Sequence, residues 1–134
     1  MVVRVESEAY RQISGMRAYV GGFFGECYDV IIDFTTGSLT WKHGEGNFTA
    51  GIKELCERKL DESTLDRLVA GLRRVNLLDW NAKYPNLGIC DGTQWFVEIT
   101  INGETVSKHG DNSFPAEWDA FCRLISRISG REFR

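Results

Sequence analysis

Hydrophobic and polar residues alternate between positions 28 and 34, with the two-residue period that is typical of a half-buried β-strand. The alternation resumes at Leu39 and Trp41 after a threonine–glycine turn signal, so the two stretches are predicted to pair as a β-hairpin. A two-residue loop would place Phe34 opposite Leu39 and Ile32 opposite Trp41. We expect this hairpin to have one apolar face and one polar face.

A second hairpin is predicted by the alternation of residues 95–101 and by the turn that follows them. Asn102-Gly103 strongly favours a two-residue hairpin turn, because both turn positions need a positive φ. A turn of this length fixes the register of the two strands and places Phe96 opposite His109.

Two helices are predicted by apolar residues at helical spacing, one after each hairpin. The first has its apolar stripe at residues 65–75, with Asp61 as its N-cap and an end around residues 77–79. The second covers residues 118–128, with Pro115 in its first turn and Gly130 at its C-terminal end. Residues 48–59, between the first hairpin and the first helix, have no pattern that assigns them a structure.

The order of these elements predicts an α+β fold in a single domain, residues 1–134. We expect two ββα units that form an antiparallel sheet with two helices packed on one face, plus an N-terminal β-segment. The glycine-rich segment 21–25 is either a bulged strand or a loop. A phosphate-binding loop is disfavoured there, because a strand and not a helix follows the glycines.

Both halves of the chain contain the pattern Gly-x-x-x-x-Lys-His-Gly, at residues 37–44 and 103–110. The repeat suggests an internal duplication. However, in the register set by these glycines, the apolar face of one hairpin aligns with the polar face of the other. Duplication and chance identity are both open interpretations.

Composition and charge exclude several functional classes. The net charge is −3, and no basic stripe is present to neutralise nucleic-acid phosphates. No apolar run is long enough for a signal peptide or a membrane span, so we expect a cytoplasmic protein that does not bind membranes. The 4 cysteines lack the spacing of metal ligands, so we expect free thiols and neither a metal ion nor a cofactor.

Residues 91–99 read Asp-Gly-Thr-Gln-Trp-Phe-Val-Glu-Ile, and residues 110–115 read Gly-Asp-Asn-Ser-Phe-Pro, followed by Trp118. In this order the motifs resemble a broad group of small, mostly uncharacterised bacterial α+β proteins. The hallmark of that group is L-D-G-T-Q-W, a hairpin turn and a Y-G-S-N-A-Y-P-x-x-W element. The resemblance spans residues 16–129 and implies a fold without an established activity. This chain has His-Gly-Asp at residues 109–111, where Tyr-Gly-Ser is usual, and unlike many members of the group it is expected to lack an export signal.

A catalytic interpretation depends on His43 and His109, which each lie near the end of the second strand of a hairpin. If the hairpins lie side by side, the histidines come close together and could activate a nucleophile that a carboxylate helps to orient. The candidates are Asp33 and Asp111 as carboxylates, and Cys27 and Ser107 as nucleophiles. The alternative function is therefore a small hydrolase-like or small-molecule-binding protein with a ligand site at His43, His109 and Asp111. No spacing in the chain forces this arrangement, and we expect no catalytic activity.

A binding module fits the sequence better. Helices on one face of a sheet leave the other face free, and the loop of residues 80–93 has a length that is typical of functional loops. Aromatic residues dominate the energetics of protein interfaces. The expected partner-binding residues are Trp80, Tyr84, Asn86, Asp91, Phe96 and Ile31. We predict a small protein-interaction module that binds another protein. An inhibitor or immunity protein in phage counter-defence or toxin neutralisation, and a plain accessory subunit, are both open interpretations, and a homodimer is a further alternative.

Overall fold

One mixed sheet of seven strands dominates the structure, a computed structural model that describes residues 9–23, 25–86, 88 and 92–134. The strands are β1 (Ile13–Gly21), β2 (Glu26–Asp33), β3 (Ser38–Glu45), β4 (Ile52–Lys59), β5 (Lys83–Tyr84), β6 (Gln94–Ile101) and β7 (Glu104–Asp111). Their order across the sheet is β4-β3-β2-β1-β6-β7-β5. Neighbouring strands are antiparallel except β5, which pairs with β7 in parallel.

Helical structure comprises a turn at residues 9–11 (α1), the helices α2 (Glu62–Arg74) and α3 (Trp118–Ser129), and 3₁₀ turns at Gly46–Phe48 and Leu77–Asp79. The predicted cap of α2 is confirmed, because an Asp61 carboxylate oxygen accepts a hydrogen bond of 2.8 Å from the Thr64 amide. Gly130 ends α3 with a φ of 71°, also as predicted. Pro115 lies before α3 and not within its first turn, since the helix begins at Trp118.

The two faces of the sheet differ in what covers them. On the face that we call the helix face, alternate residues of β1, β2, β3 and β6 join the helices in one buried cluster. Its members include Met16, Ala18, Val20, Val30, Ile32, Leu39, Trp41, Trp95, Val97 and Ile99 from the strands, and Leu68, Leu72, Phe121 and Ile125 from α2 and α3. We call the opposite face, which carries Arg17, Ile31 and Phe96, the open face.

The expected arrangement of two ββα units is wrong, although the broader α+β class holds. The hairpins β2–β3 and β6–β7 are not neighbours, because β1 lies between them and pairs with β2 on one side and β6 on the other. The supposed N-terminal β-segment is thus the central strand. Met16, Ala18 and Val20 continue the apolar layer between the hairpins, so burial of the whole core favours this position.

The predicted strand register is confirmed in the second hairpin and is wrong in the first. In the second, Phe96 pairs with His109 as predicted, and Asn102 and Gly103 have the positive φ values of 51° and 78°. In the first, Ile32 and not Phe34 pairs with Leu39, which leaves a longer loop than the two residues expected. The Asp33 side chain accepts hydrogen bonds within that loop, including one of 2.9 Å from the Thr35 amide, and so stabilises the longer turn.

The segment without a readable pattern contains β4, which forms one edge of the sheet. Seven of its residues are exposed and Cys56 is half-buried, so the strand has no alternation of apolar and polar positions. Of the glycine-rich segment, Gly21 belongs to β1 and Gly22 and Gly25 lie outside the strands.

Candidate functional site

A row of paired residues crosses the open face of the sheet. Successive Cα pairings connect Asp29 of β2, Tyr19 of β1, Phe96 of β6, His109 of β7 and Lys83 of β5. Directly paired residues project to the same face of a sheet, and neighbouring strands are about 4.8 Å apart. The row therefore forms a continuous strip of side chains that runs from a buried carboxylate to an exposed lysine.

A cleft with a volume of about 660 Å³ lies over this strip. At one end it is bounded by Asn47 and Phe48, which belong to the 3₁₀ turn after β3, and at the other by residues 83–86. Gln94 and Asp111, a Cα pair beside the strip, also line it. The cleft is thus formed by the central strands together with two connecting segments that rise above the sheet.

The floor of the cleft is aromatic. The rings of Tyr19 and Phe96 are stacked, with centroids 5.3 Å apart and planes inclined by 16°. The Arg17 guanidinium lies 5.1 Å from the centroid of the Phe96 ring, a distance typical of a cation–π contact. Phe48 approaches from above, with its ring centroid 6.4 Å from that of Tyr19.

An ion pair fixes one end of this floor. Arg17 donates two hydrogen bonds to the Asp29 carboxylate, of 3.1 Å from Nε and 2.9 Å from Nη2. The Asp29 side chain is only 5% exposed, whereas that of Arg17 is 45% exposed. The hydrogen bond to Asp29 raises the pKa of Arg17, which stays charged. Because a buried carboxylate is costly without a partner, Arg17 has a structural role as well as a place in the cleft.

Two groups of the open face are held in their neutral forms by burial. Burial raises the pKa of Tyr19 to about 12, and its hydroxyl donates a hydrogen bond to the Asn47 side-chain oxygen. Burial also raises the pKa of the Cys27 thiol, which does not favour the thiolate that a nucleophile needs. Tyr19 therefore offers the cleft a neutral aromatic ring, and Cys27 is poorly suited to nucleophilic attack.

The 3₁₀ turn at the end of the cleft has an unusual backbone. Gly46, Asn47 and Phe48 have successive positive φ values of 57°, 58° and 65°. The left-handed conformation costs a non-glycine residue roughly 1–2 kcal/mol, and a phenylalanine adopts it rarely. The turn carries this strain while it places the Phe48 ring above Tyr19.

Several of the residues predicted from the sequence line the cleft. Phe96 lies in its floor, and Tyr84, Asn86, His109 and Asp111 lie around it. Tyr84 also contacts the core, since its ring centroid is 5.6 Å from that of Trp95. Residues 83–86 of the predicted loop and Phe96 of the open face thus line the same cleft, although the sequence did not predict that these two regions meet.

Other predicted residues lie elsewhere. Trp80 is buried in the core, where its indole donates a hydrogen bond of 2.9 Å to the Val75 carbonyl, so it is not available to a partner. The exposed Ile31 is on the open face but beyond the cleft. Asp91 lies outside the described residues.

The alternative arrangement, in which the two histidines come close together, does not form. His43 lies on the helix face of β3, and His109 lies on the open face of β7, four strand spacings or about 19 Å away. His43 instead sits between two carboxylates, with Nε2 3.0 Å from Glu26 and Nδ1 2.8 Å from Glu54. The proposed ligand set is therefore reduced to His109 and Asp111.

Four residues of the cleft were not among those predicted from the sequence: Arg17, Tyr19, Asn47 and Phe48. The first two alternate with Met16, Ala18 and Val20, which is the pattern of a strand with one face in the core. That alternation could have placed them on an open face, but only the sheet order shows that this strand is central. Asn47 and Phe48 had no detectable signal, because their role depends on the left-handed turn.

Within the described parts of the chain, no group of three or more His, Cys, Asp or Glu residues is arranged to hold a metal ion. The described helices also include none that is long and apolar enough to cross a membrane. No protein-family model matches this chain, and no curated protein matches it.

Proposed function

We propose that this protein is a small binding module that recognises another protein through the cleft on its open face, without catalysing a reaction. The observation that carries this proposal is the aromatic floor formed by Tyr19 and Phe96, which lies in a cleft of about 660 Å³ on a face away from the helices. Aromatic rings beside an arginine are the groups that most often dominate interface energetics.

The shape of the cleft indicates how a partner would bind. Volumes of about 300–1,000 Å³ accommodate a group as large as a small ligand, so one or two partner side chains would fit. Lys83, His109 and Asp111 lie around the aromatic floor and supply the polar contacts that orient such a group. The partner would thus insert an apolar or aromatic side chain and contact the surrounding polar residues.

The titratable groups of the floor support a binding role over a catalytic one. Arg17 and Asp29 are engaged with each other, and burial raises the pKa of Tyr19 to about 12, so its hydroxyl is neutral near pH 7. His109 remains as an exposed titratable group beside them. An inhibitor or immunity role, in phage counter-defence or toxin neutralisation, fits a short and slightly acidic chain.

Photo-crosslinking tests this proposal with a matched pair of phenylalanines. We would replace Phe96 with the photoreactive residue benzoylphenylalanine, and Phe114 with the same residue as the control. Phe114 is exposed but lies beside Trp118 at the start of α3, outside the cleft. After irradiation in lysate of the native host, we expect a discrete protein adduct from position 96 and none from position 114. Equal labelling at both positions, or no adduct at position 96, would contradict the proposal.

The partner identified in this way allows a quantitative test. With the purified partner, Phe96→Ala is expected to weaken binding by about 10- to 100-fold, because truncation of an interface hot spot costs roughly 2 kcal/mol or more. Phe114→Ala is expected to leave the dissociation constant unchanged, measured by isothermal titration calorimetry. Retention of full affinity by the Phe96 variant would place the interface elsewhere.

The volume of the cleft also favours a second candidate, the binding of a small aromatic molecule with His109 and Asp111 as polar contacts. Native mass spectrometry of the protein purified from its host separates this candidate from the first. A bound small molecule that is lost in Phe96→Ala would favour it, whereas a clean apo mass together with a protein adduct would favour a protein partner.

A further inference from the structure

The outer edge of β4 is a long strand edge that no other described strand covers. The strand has 8 residues and is the last in the sheet order, whereas β5 at the opposite end has only 2 residues. A strand edge presents unpaired amide and carbonyl groups and is a template for another strand. Ile52 and Leu55 add apolar surface here, at 50% and 54% exposure.

Symmetry limits how two copies could join at this edge. In an antiparallel pair related by a twofold axis, the axis lies perpendicular to the sheet, and both helix faces stay on the same side. Residues that pair directly project to the same face, and side chains alternate between the faces along β4. Two paired residues are therefore an even number of positions apart in the sequence, and the residue midway between them lies opposite its own copy. Only six positions, residues 53–58, would give a register with substantial overlap of the strands.

The charges along β4 select one of these registers. Centring the pair on residue 53, 54, 57 or 58 puts two identical charges directly opposite each other, and centring it on Cys56 puts Lys53 opposite Lys59 twice. Centring it on Leu55 puts Leu55 opposite its copy and Lys53 opposite Glu57 twice, with no like charges directly opposed. Opposite charges at directly paired positions stabilise a sheet, and like charges destabilise it.

We propose that β4 pairs with β4 of a second copy of this chain, antiparallel and centred on Leu55, so that two sheets join into one. The complementary pairs are Lys53 with Glu57 of the other copy and the reverse. The outer edge of β4 points away from the cleft, and β3 lies between β4 and Asp29 of β2, the nearest strand residue that lines the cleft, so the dimer leaves both clefts open. The proposal is therefore independent of the proposed function.

Lys53 also forms an ion pair within its own chain. Its ammonium lies 2.7 Å from a Glu45 carboxylate oxygen, and both side chains are more than half exposed. A test of the dimer must distinguish this internal pair from the pair between copies. Glu45→Gln removes the internal pair and leaves the charges of β4 unchanged, so it is the appropriate control.

Sedimentation equilibrium of the purified full chain at rising concentration tests the proposal by charge exchange. The wild-type chain is expected to dimerise. Glu57→Lys is expected to raise the dimer dissociation constant about tenfold or more, because Lys53 of each copy would then lie opposite a second positive charge at position 57 of the other copy. Lys53→Glu alone should also weaken the dimer, because Glu57 of each copy would then lie opposite a second carboxylate at position 53 of the other copy. The double variant Lys53→Glu with Glu57→Lys restores opposite charges and is expected to restore dimerisation, and Glu45→Gln is expected to leave it unchanged.

A monomeric wild-type chain would overturn the proposal. So would a dimer that persists unchanged in Glu57→Lys, or one that the double variant does not restore. Both residues are exposed, so the variants should fold, and circular dichroism checks this. A loss of dimerisation in Glu45→Gln equal to that in Lys53→Glu would assign the effect to the internal pair and would likewise overturn the proposal.

Discussion

Residues 42–44 and residues 108–110 have the same sequence, Lys-His-Gly, and each lies near the end of the second strand of a hairpin. Their side chains nevertheless face opposite ways. In the first segment the histidine projects to the helix face and the lysine to the open face, and in the second these directions are exchanged. His43 and Lys108 are therefore buried on the helix face, whereas Lys42 and His109 lie on the open face.

The two buried side chains of these segments are satisfied in different ways. His43 bridges Glu26 of β2 and Glu54 of β4 and stacks on Tyr28, with ring centroids 4.9 Å apart. Lys108 donates to two backbone carbonyls, at 3.2 Å to Leu78 and 2.6 Å to Trp80.

Burial lowers the pKa of Lys108, which has no carboxylate among these partners. The comparison teaches that a shift of one residue exchanges the two faces of a strand, so identical letters do not imply a shared role.

The largest difference between the segments is expected at their glycines. A methyl group at Gly110 would overlap the Trp95 indole nitrogen and the Ser113 carbonyl, which are themselves joined by a hydrogen bond of 2.8 Å. At Gly44 a methyl group would meet the edge of the Phe48 ring and, at 3.0 Å, the Gly51 carbonyl oxygen, and a small displacement of the ring would relieve the main overlap. We expect Gly110→Ala to lower the free energy of unfolding by about 3 kcal/mol and Gly44→Ala by about 1 kcal/mol.

Urea unfolding followed by tryptophan fluorescence measures both values. Gly110→Ala is expected to be the more severe substitution, because Trp95 packs against Gly110 of β7 and also donates a hydrogen bond to Ser113 in the segment before α3. Equal losses in the two variants would show that Trp95 can move away from Gly110 as easily as Phe48 moves away from Gly44.

The lysines give the next largest expected difference. Lys108→Met keeps the aliphatic length of the side chain but leaves the Leu78 and Trp80 carbonyls without their donor. We expect a loss of about 2 kcal/mol in the free energy of unfolding, because unsatisfied buried acceptors are costly. Lys42→Met, on the open face, should stay within about 0.5 kcal/mol of the wild type.

Thermal unfolding by circular dichroism, with both variants in one buffer, compares these values. A larger loss in the Lys42 variant than in the Lys108 variant would contradict the assignment of Lys108 as the donor that ties residues 77–80 to the sheet.

Local signals in the sequence were sufficient for the parts of the fold that depend on neighbouring residues. Asn102-Gly103 needs positive φ at two successive positions, and Asp61 needs only the amide three residues later, so both features were predictable. The loop after Asp33 was not, because its length depends on side-chain hydrogen bonds that compete with a two-residue turn. β4 was also missed, since nearly all of its residues are exposed and no periodicity results.

Non-local pairing explains what the sequence could not show of the site. Phe96 and His109 could be placed on one face and opposite each other from the hairpin alone. The contact of Phe96 with Tyr19 and Arg17 requires β1 to insert between the hairpins, which no local pattern specifies. The insertion of β1 also increases the separation of His43 and His109, which in any case project to opposite faces of the sheet.

The smallest expected difference between the segments is that of the histidines. His43→Ala removes hydrogen bonds to two carboxylates and the stack on Tyr28, but Glu26 and Glu54 are more than half exposed and water can solvate them. We therefore expect a loss of only about 1–2 kcal/mol in the free energy of unfolding. His109→Ala should stay within about 0.5 kcal/mol of the wild type, because that side chain is exposed.

Urea unfolding of the His43→Ala and His109→Ala variants, together with their affinities for the partner, separates an effect on stability from an effect on binding. If the cleft is the binding site, His109→Ala weakens partner binding without loss of stability, whereas His43→Ala lowers stability and leaves affinity intact under folding conditions. The opposite assignment, with affinity lost only in the His43 variant, would move the functional surface from the open face to the carboxylate-flanked histidine on the helix face. In each copy of the tripeptide, one side chain thus belongs to the buried structure of the helix face, and the other lies on the open face, where the proposed partner would bind.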